Sequence, residues 1–349
     1  MDKTLLLLGD ENDYDSYNKI CQQLEQHPPR RLNAVIATYD QLDSNRLPSI
    51  QSETIIIYLC FPFGYWDNNI EHESYRGLYG NVGFYNKFRA LWTSINRKLN
   101  IVYSGKTLHF INHPLRISAD RDKEMTKTIL LNEGIEVPYQ IFSRSYREIM
   151  KLVNKEGRKL FLKVRYGSMG KGITYMERGK WRTNFRFERG RIVSARSDRD
   201  WTFIDITDNA AFLKKLLIQD IVIEEALDCP VIDGLKYDLR FYTCFDEVLY
   251  IYPRTNKSEA ITTNISQGGR GRSSHFLQKI PDKMIRKAGR TAIKVSKIMG
   301  LEFAGVDIMI SKDLKRACVI ELNAFPGFPR AKRFNLSKRI ISSIENHVF

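Results

Sequence analysis

No apolar run in the chain approaches the ~18 residues that a membrane helix requires. The best candidate, Ile55-Ile56-Ile57-Tyr58-Leu59-Cys60-Phe61, is stopped by Pro62. Leu5 to Leu8 is too short for a signal-peptide core and follows the acidic Asp2, so it reads as a first strand. Cysteine is sparse. The five residues, Cys21, Cys60, Cys229, Cys244 and Cys318, are odd in number and form no CxxC pair. That argues against zinc ribbons and thiol redox motifs and makes a reducing cytoplasm the simplest setting. Internal repeats, low-complexity tracts and a GxSxG elbow are missing, as are helix-turn-helix, zinc-finger and RNP signatures. Acidic residues are in deficit, 40 against 55 Lys and Arg, for a net charge of +15 over 349 residues. The excess favours anionic partners: nucleotides, nucleic acid or an anionic surface. With 43% apolar and 27% charged residues the composition is that of a folded globular protein, and the length suggests about two domains.

Residues 1 to about 110 alternate apolar runs (4–8, 34–37, 55–59) with polar helical stretches, the rhythm of a small open α/β domain. Pro62-Phe63-Gly64-Tyr65-Trp66 reads as an aromatic loop, packed beneath its neighbours rather than stacked on a ligand. Pro114 marks a joint. Asp120 is placed to cap a helix ending at Gly134, with Met125, Ile129 and Leu130 or Leu131 inward. Ser145 and Glu148 have capping-box spacing. Strands are expected over 160–166, 173–176, 217–224, 239–245 and 248–252, with hairpin material over 181–205. A long amphipathic helix over 281–300, a hairpin over 306–322 and a basic C-terminal helix follow.

Two motifs carry chemistry. Gly167-Ser168-Met169-Gly170-Lys171-Gly172 lies between two expected strands. Glycines let backbone N–H groups approach and cradle an anion, and Lys163 adds positive charge beside them. The spacing is neither Walker A nor GxGxxG, and Gly105-Lys106-Thr107 fails as a P-loop because Asn100 stands where its first glycine belongs. In the second motif, a hairpin turning near Leu314 sets Asp307 opposite Glu321, with Asn323 on the same strand face. Facing carboxylates repel. A divalent cation removes the conflict, and Asp, Glu and Asn oxygens suit Mg²⁺. Glu224 and Glu225 are candidates for ribose hydroxyls, and Arg254 for an anionic intermediate.

The order of these motifs resembles an ATP-grasp ligase over residues 112 to 330, nearest the RimK-like branch and more distantly glutathione synthetases. Arg121-Asp122-Lys123, Phe161-Leu162-Lys163, the glycine loop, Ile218 to Val222, Asp238-Leu239-Arg240, Arg254, Asn264, Gly305-Val306-Asp307 and Glu321 to Gly327 carry it. The resemblance implies an ATP-grasp fold, two α+β subdomains sandwiching ATP, after the small α/β domain. The expected boundaries are 1–112, 113–215 with the glycine-rich flap, and 216–349 with the metal site. It implies ATP contacts from Lys123, Lys163, Gly167, Ser168, Met169, Gly170, Lys171, Gly172, Gln219, Asp220, Ile221, Val222, Asp238 and Asn264, the backbone of Asp220 and Ile221 reading adenine. Lys163 and Arg254 act on the reacting phosphate. Asp307, Glu321 and Asn323 hold Mg²⁺, as two ions, with Mn²⁺ able to stand in. Thr262 replaces an arginine often found two residues before Asn264, for which Arg270 or Arg272 is the substitute. Arg240 joins them as a substrate contact.

The implied activity is ATP-dependent carboxylate–amine ligation through an acylphosphate, on an acidic amino acid or a peptide, in a cytoplasmic protein that need not be monomeric and has no membrane partner. A basic nucleic-acid-binding module with a degenerate ATP site and a kinase-like phosphotransferase are the alternatives. Residues 178–200, with eight Arg and Lys against three acids, are a candidate dock for an acidic substrate.

Overall fold

A computed structural model describes residues 2–13, 15–72, 75, 77–195, 201–228, 230–331 and 334–347. The N-terminal sheet is parallel. Lys3–Gly9 is flanked by Asn33–Thr38 and Thr54–Leu59, and Thr107–Phe110 pairs on the outside of the last. Its central strands are apolar without alternation because both faces are covered. Leu6, Leu8, Ile55 and Ile57 join the core around the helix Val82–Val102. Leu5, Leu7, Ile56 and Tyr58 share a second core with Tyr17 and Ile20 of the helix Tyr17–Gln26 and with Ile340 and Ile344 of the last helix, Leu336–His347.

Two antiparallel sheets follow. The middle sheet orders Ile204–Asp205, Lys180–Thr183, Ile173–Glu177, Leu160–Val164 and Ile221–Glu225. Arg186–Val193 forms a separate two-stranded hairpin. The C-terminal sheet is built on Leu235–Cys244, Glu247–Lys257, Phe303–Ile310 and Ala317–Asn323, backed by the helix Asp282–Met299. That helix is closed by Gly300 in the left-handed region.

Several expectations change. Strand Ile221–Glu225 hydrogen-bonds along Leu160–Val164, so the middle unit continues through residue 225 rather than ending at 215. Leu217 ends a helix, Ala210–Leu217, started by the Asn209 cap, instead of opening a strand. Asp122 rather than Asp120 caps Lys123–Asn132. That helix buries Thr126, Lys127 and Leu130 while Leu131 is exposed. The aromatic segment after Pro62 is helical, with a wide π-type turn over Trp66–Ile70. Its rings do pack inward: Phe61 and Trp66 meet Phe88.

Trp92 is fully buried. It stacks on Phe325, with 5.4 Å between centroids, and meets Phe88 and Tyr39 edge-on. Phe325 follows the last strand of the C-terminal sheet, so this stack fastens the two ends of the molecule together. Trp92→Ala is expected to lower unfolding free energy by about 3–5 kcal/mol in urea titration. A loss under about 1 kcal/mol would show that the stack carries little of the join.

Candidate functional site

The middle and C-terminal sheets enclose a cleft. Lys123, Lys163, Gly167, Ser168, Gly170, Lys171, Asp238, Arg254, Asn264, Asp307 and Glu321 line it. The structure thus brings together the glycine loop, the lysines and the carboxylate hairpin from three distant parts of the chain. The loop turns through left-handed backbone at Met169, Gly170 and Gly172. A side chain at Gly170 would strike Asn264 at 2.6 Å, so the close approach of these segments requires glycine.

The hairpin register is as expected, with Asp307 paired to Glu321. A bulge then lets Ile308 face Val319 and leaves Ile320 as the extra residue. Asp307 is buried and accepts a bidentate pair of hydrogen bonds from Arg240, from Nε at 2.7 Å and Nη2 at 2.8 Å. Arg254 reaches the same carboxylate at 2.9 Å and Asp238 at 2.5 Å. Burial alone would favour the neutral acid, but the two guanidiniums hold Asp307 below the ordinary carboxylate range. Glu321 pairs with Lys123 at 3.3 Å. Asn323 directs its amide nitrogen to Gly305 O at 3.5 Å, leaving its carbonyl as the acceptor. Among the described residues no three His, Cys, Asp or Glu side chains group as a metal site. Two carboxylates and an amide oxygen across one hairpin are nevertheless hard donors that fit Mg²⁺.

At the other end, Glu224 is buried and ion-paired to both Lys127 and Lys163. Burial, then the Lys163 and Lys123 charges, push the Lys127 ammonium well down. Burial also lowers Lys163, to about 8, against the pull of Glu321.

Some expected residues lie elsewhere. Gln219, Asp220, Ile221 and Val222 do not line the cleft, and Glu224, Glu225 and Leu227 occupy the corresponding wall. Asp220 and Ile221 use their carbonyls on Arg165 N and Arg144. Met169, Gly172 and Asn323 border the site without lining it. Arg240 touches the site only through Asp307. Arg270 is exposed and Arg272 is turned to Thr255 Oγ1, and neither lines the cleft. In the basic stretch Arg186 bonds Thr202, and Arg196 and Arg199 lie outside the described residues.

Sequence reasoning missed Lys127 and Lys236. Lys127 stands one helical turn after Lys123, the same-face signal that could have found it. Lys236 stands two residues before Asp238 on one strand face and donates to the carbonyls of Ala260 and Ile261.

A family model described as YheC/D-like ATP-grasp matches residues 121–348. The chain belongs to this family. It is 26% identical over 241 residues to a probable alpha-L-glutamate ligase of Thioalkalivibrio sulfidiphilus (strain HL-EbGR7), covering 68% of this chain and 67% of the relative. The glutamate–LysW ligase ArgX of Sulfolobus acidocaldarius is 25% identical over 263 residues, 74% of this chain and 79% of that one. The fold matches the ATP-grasp ligase PsnB, solved with a phosphomimetic variant of its minimal precursor, Mg and ADP, with a TM-score of 0.57 at 14% identity over both whole chains. The protein is an ATP-grasp ligase of the carbon–nitrogen-bond-forming kind. Its family uses ATP and Mg²⁺. No described helix is long and apolar enough to cross a membrane.

If Lys163 meets phosphate as an ammonium, its lowered pKa sets the pH dependence of binding. Affinity for a non-hydrolysable ATP analogue should be flat below pH 8 and fall toward tenfold per unit as pH rises above about 8, because the free protein loses the proton that the complex needs. Calorimetric titration from pH 7 to 9.5 checks this. Constant affinity across that range would remove Lys163 from the contact.

Proposed function

We propose that the protein joins a carboxylate to an amine at the expense of ATP, with the nucleotide in the cleft between the two antiparallel sheets. The observation that carries this reading is the convergence of the glycine loop, Lys123, Lys163 and Lys171 on one side with Asp307, Glu321 and Arg254 on the other. A substrate carboxylate oxygen attacks the γ-phosphorus and ADP departs, leaving an acylphosphate. The amine then adds to the acyl carbon, phosphate leaves, and the nitrogen gives up a proton.

Such chemistry asks the protein for alignment and charge neutralisation rather than for a nucleophile. Loop N–H groups and the lysines are suited to the polyphosphate. Arg254 is held rigidly between Asp238 and Asp307, which fixes its charge at the end of the cleft where phosphate would transfer. Asp307, Glu321 and Asn323 would hold Mg²⁺, which when bound neutralises charge on phosphate oxygens. The carboxylate substrate is proposed to be an acidic amino acid or the end of a peptide. Relatives named for glutamate ligation and a PsnB structure holding a precursor support this class. The positive balance of the chain attracts it.

The test is a thermal-shift titration with Mg²⁺ and a non-hydrolysable ATP analogue on wild type, Lys163→Ala and Glu321→Ala. Ligand at ~100 times Kd should stabilise wild type by about 2.7 kcal/mol and both variants by less. ADP release should then require a carboxylate and an amine together. No wild-type shift at millimolar nucleotide would sink the nucleotide site. ADP release indifferent to the amine would leave a phosphotransferase.

A further inference from the structure

The glycine loop is gripped by the N-terminal domain, through a segment that carries no recognised motif. Tyr79 is 1% exposed. Its hydroxyl accepts from Ser168 N at 3.1 Å and lies 3.2 Å from Ser168 Oγ. Its own backbone N–H is tied to Ser194 Oγ, which donates on to Gly77 O. Gly80 O accepts from Tyr166 N at 3.2 Å. A Cβ at Gly80 would meet Gly167 N at 2.9 Å, so the two backbones cross in contact. Glu71 pairs with Lys171 at 2.5 Å and is itself held by Trp66 Nε1 at 3.0 Å. Arg121 closes the ring. It donates to Ser168 Oγ at 2.6 Å while its guanidinium lies over Trp66, Phe61 and Phe88. A loop made only to turn between two strands needs none of this.

We propose that Glu71 and Tyr79 are positioning residues for the phosphate-binding loop: they hold Ser168 to Lys171 closed before nucleotide arrives, and Glu71 is the anion that phosphate displaces from Lys171. The proposal rests on the reading of the cleft as an ATP site. Tyr79 fixes the backbone N–H groups in place, which a polyphosphate would otherwise have to order at an entropic cost. Glu71 sets a carboxylate against a lysine that is 95% buried and lies over the Tyr79 ring, which helps to keep it charged. Both roles act through the loop, not on the substrate.

Hydrogen exchange on the full-length, nucleotide-free protein tests the hold directly. The Ser168 and Lys171 amides should be protected in wild type. They should exchange about tenfold faster in Tyr79→Phe, which keeps the ring and loses only the hydroxyl, and in Glu71→Gln. Exchange in the strand Leu160–Val164 should be unchanged. Glu71→Gln should also lower KM for ATP, by threefold or more, as the competing carboxylate is gone, and lower kcat as the loop loosens. Unprotected loop amides in wild type, or protection identical in both variants, would overturn the proposal. If Tyr79→Phe fails to fold, Glu71→Gln, on the partly exposed side of the grip, decides alone. Protection without any nucleotide-induced thermal shift would uphold the grip and sink the ATP reading instead.

Discussion

Charge burial governs this molecule. Cations are drawn into the cleft from both sheets, and a buried charge survives only with a partner. Asp307 answers Arg240 and Arg254, Asp238 shares Arg254, Glu321 meets Lys123, and Glu224 serves both Lys127 and Lys163. Glu71 crosses from the N-terminal domain to Lys171. The nucleotide-free site is therefore largely self-neutralised. A polyphosphate entering it exchanges partners rather than filling a positive void. The energy gained is the difference between two sets of ion pairs, which is a device for binding a highly charged ligand without trapping it.

The carboxylate hairpin was the part of the site most legible in the sequence. Its strands are short, apolar and separated by a polar turn, so one symmetric closure fixes the register of Asp307 on Glu321. The bulge at Ile320 was not legible, because a single inserted residue leaves the apolar pattern intact. The glycine loop was legible for a similar reason: its chemistry is local. Non-local features escaped. Leu216, Leu217 and Ile218 look like the start of a strand, and only the Asn209 cap and the packing of Phe212 and Leu213 turn that run into a helix. Glu224 and Glu225, which line the cleft, lie on the same strand as Ile221 and Val222, which do not. The N-terminal domain fared likewise. Its parallel strands were readable from apolar runs, whereas the grip of Tyr79 on Ser168 joins segments with no shared pattern.

That domain carries no motif of its own, yet it meets the reactive cleft at two places. One is the glycine loop. The other is the turn that follows Glu321 and Asn323. Ala324 offers its carbonyl to Asn112 at 3.3 Å. Phe325 stacks on Trp92. Phe328 N donates to Asp15 at 3.0 Å. The far end of the carboxylate strand is thus pinned to the N-terminal sheet and its helices. Loop and hairpin stand on opposite walls of the cleft, in different sheets, and among the described residues no strand joins those walls. The N-terminal domain touches both, alongside the direct contacts of Ser266 with Met169 O at 2.7 Å and of Lys123 with Glu321 at 3.3 Å. An amide-forming enzyme must bring an anion, a polyphosphate and a metal into line within fractions of an ångström. A rigid third domain bracing both walls meets that need, which gives the motif-free first hundred residues a mechanical role in the chemistry.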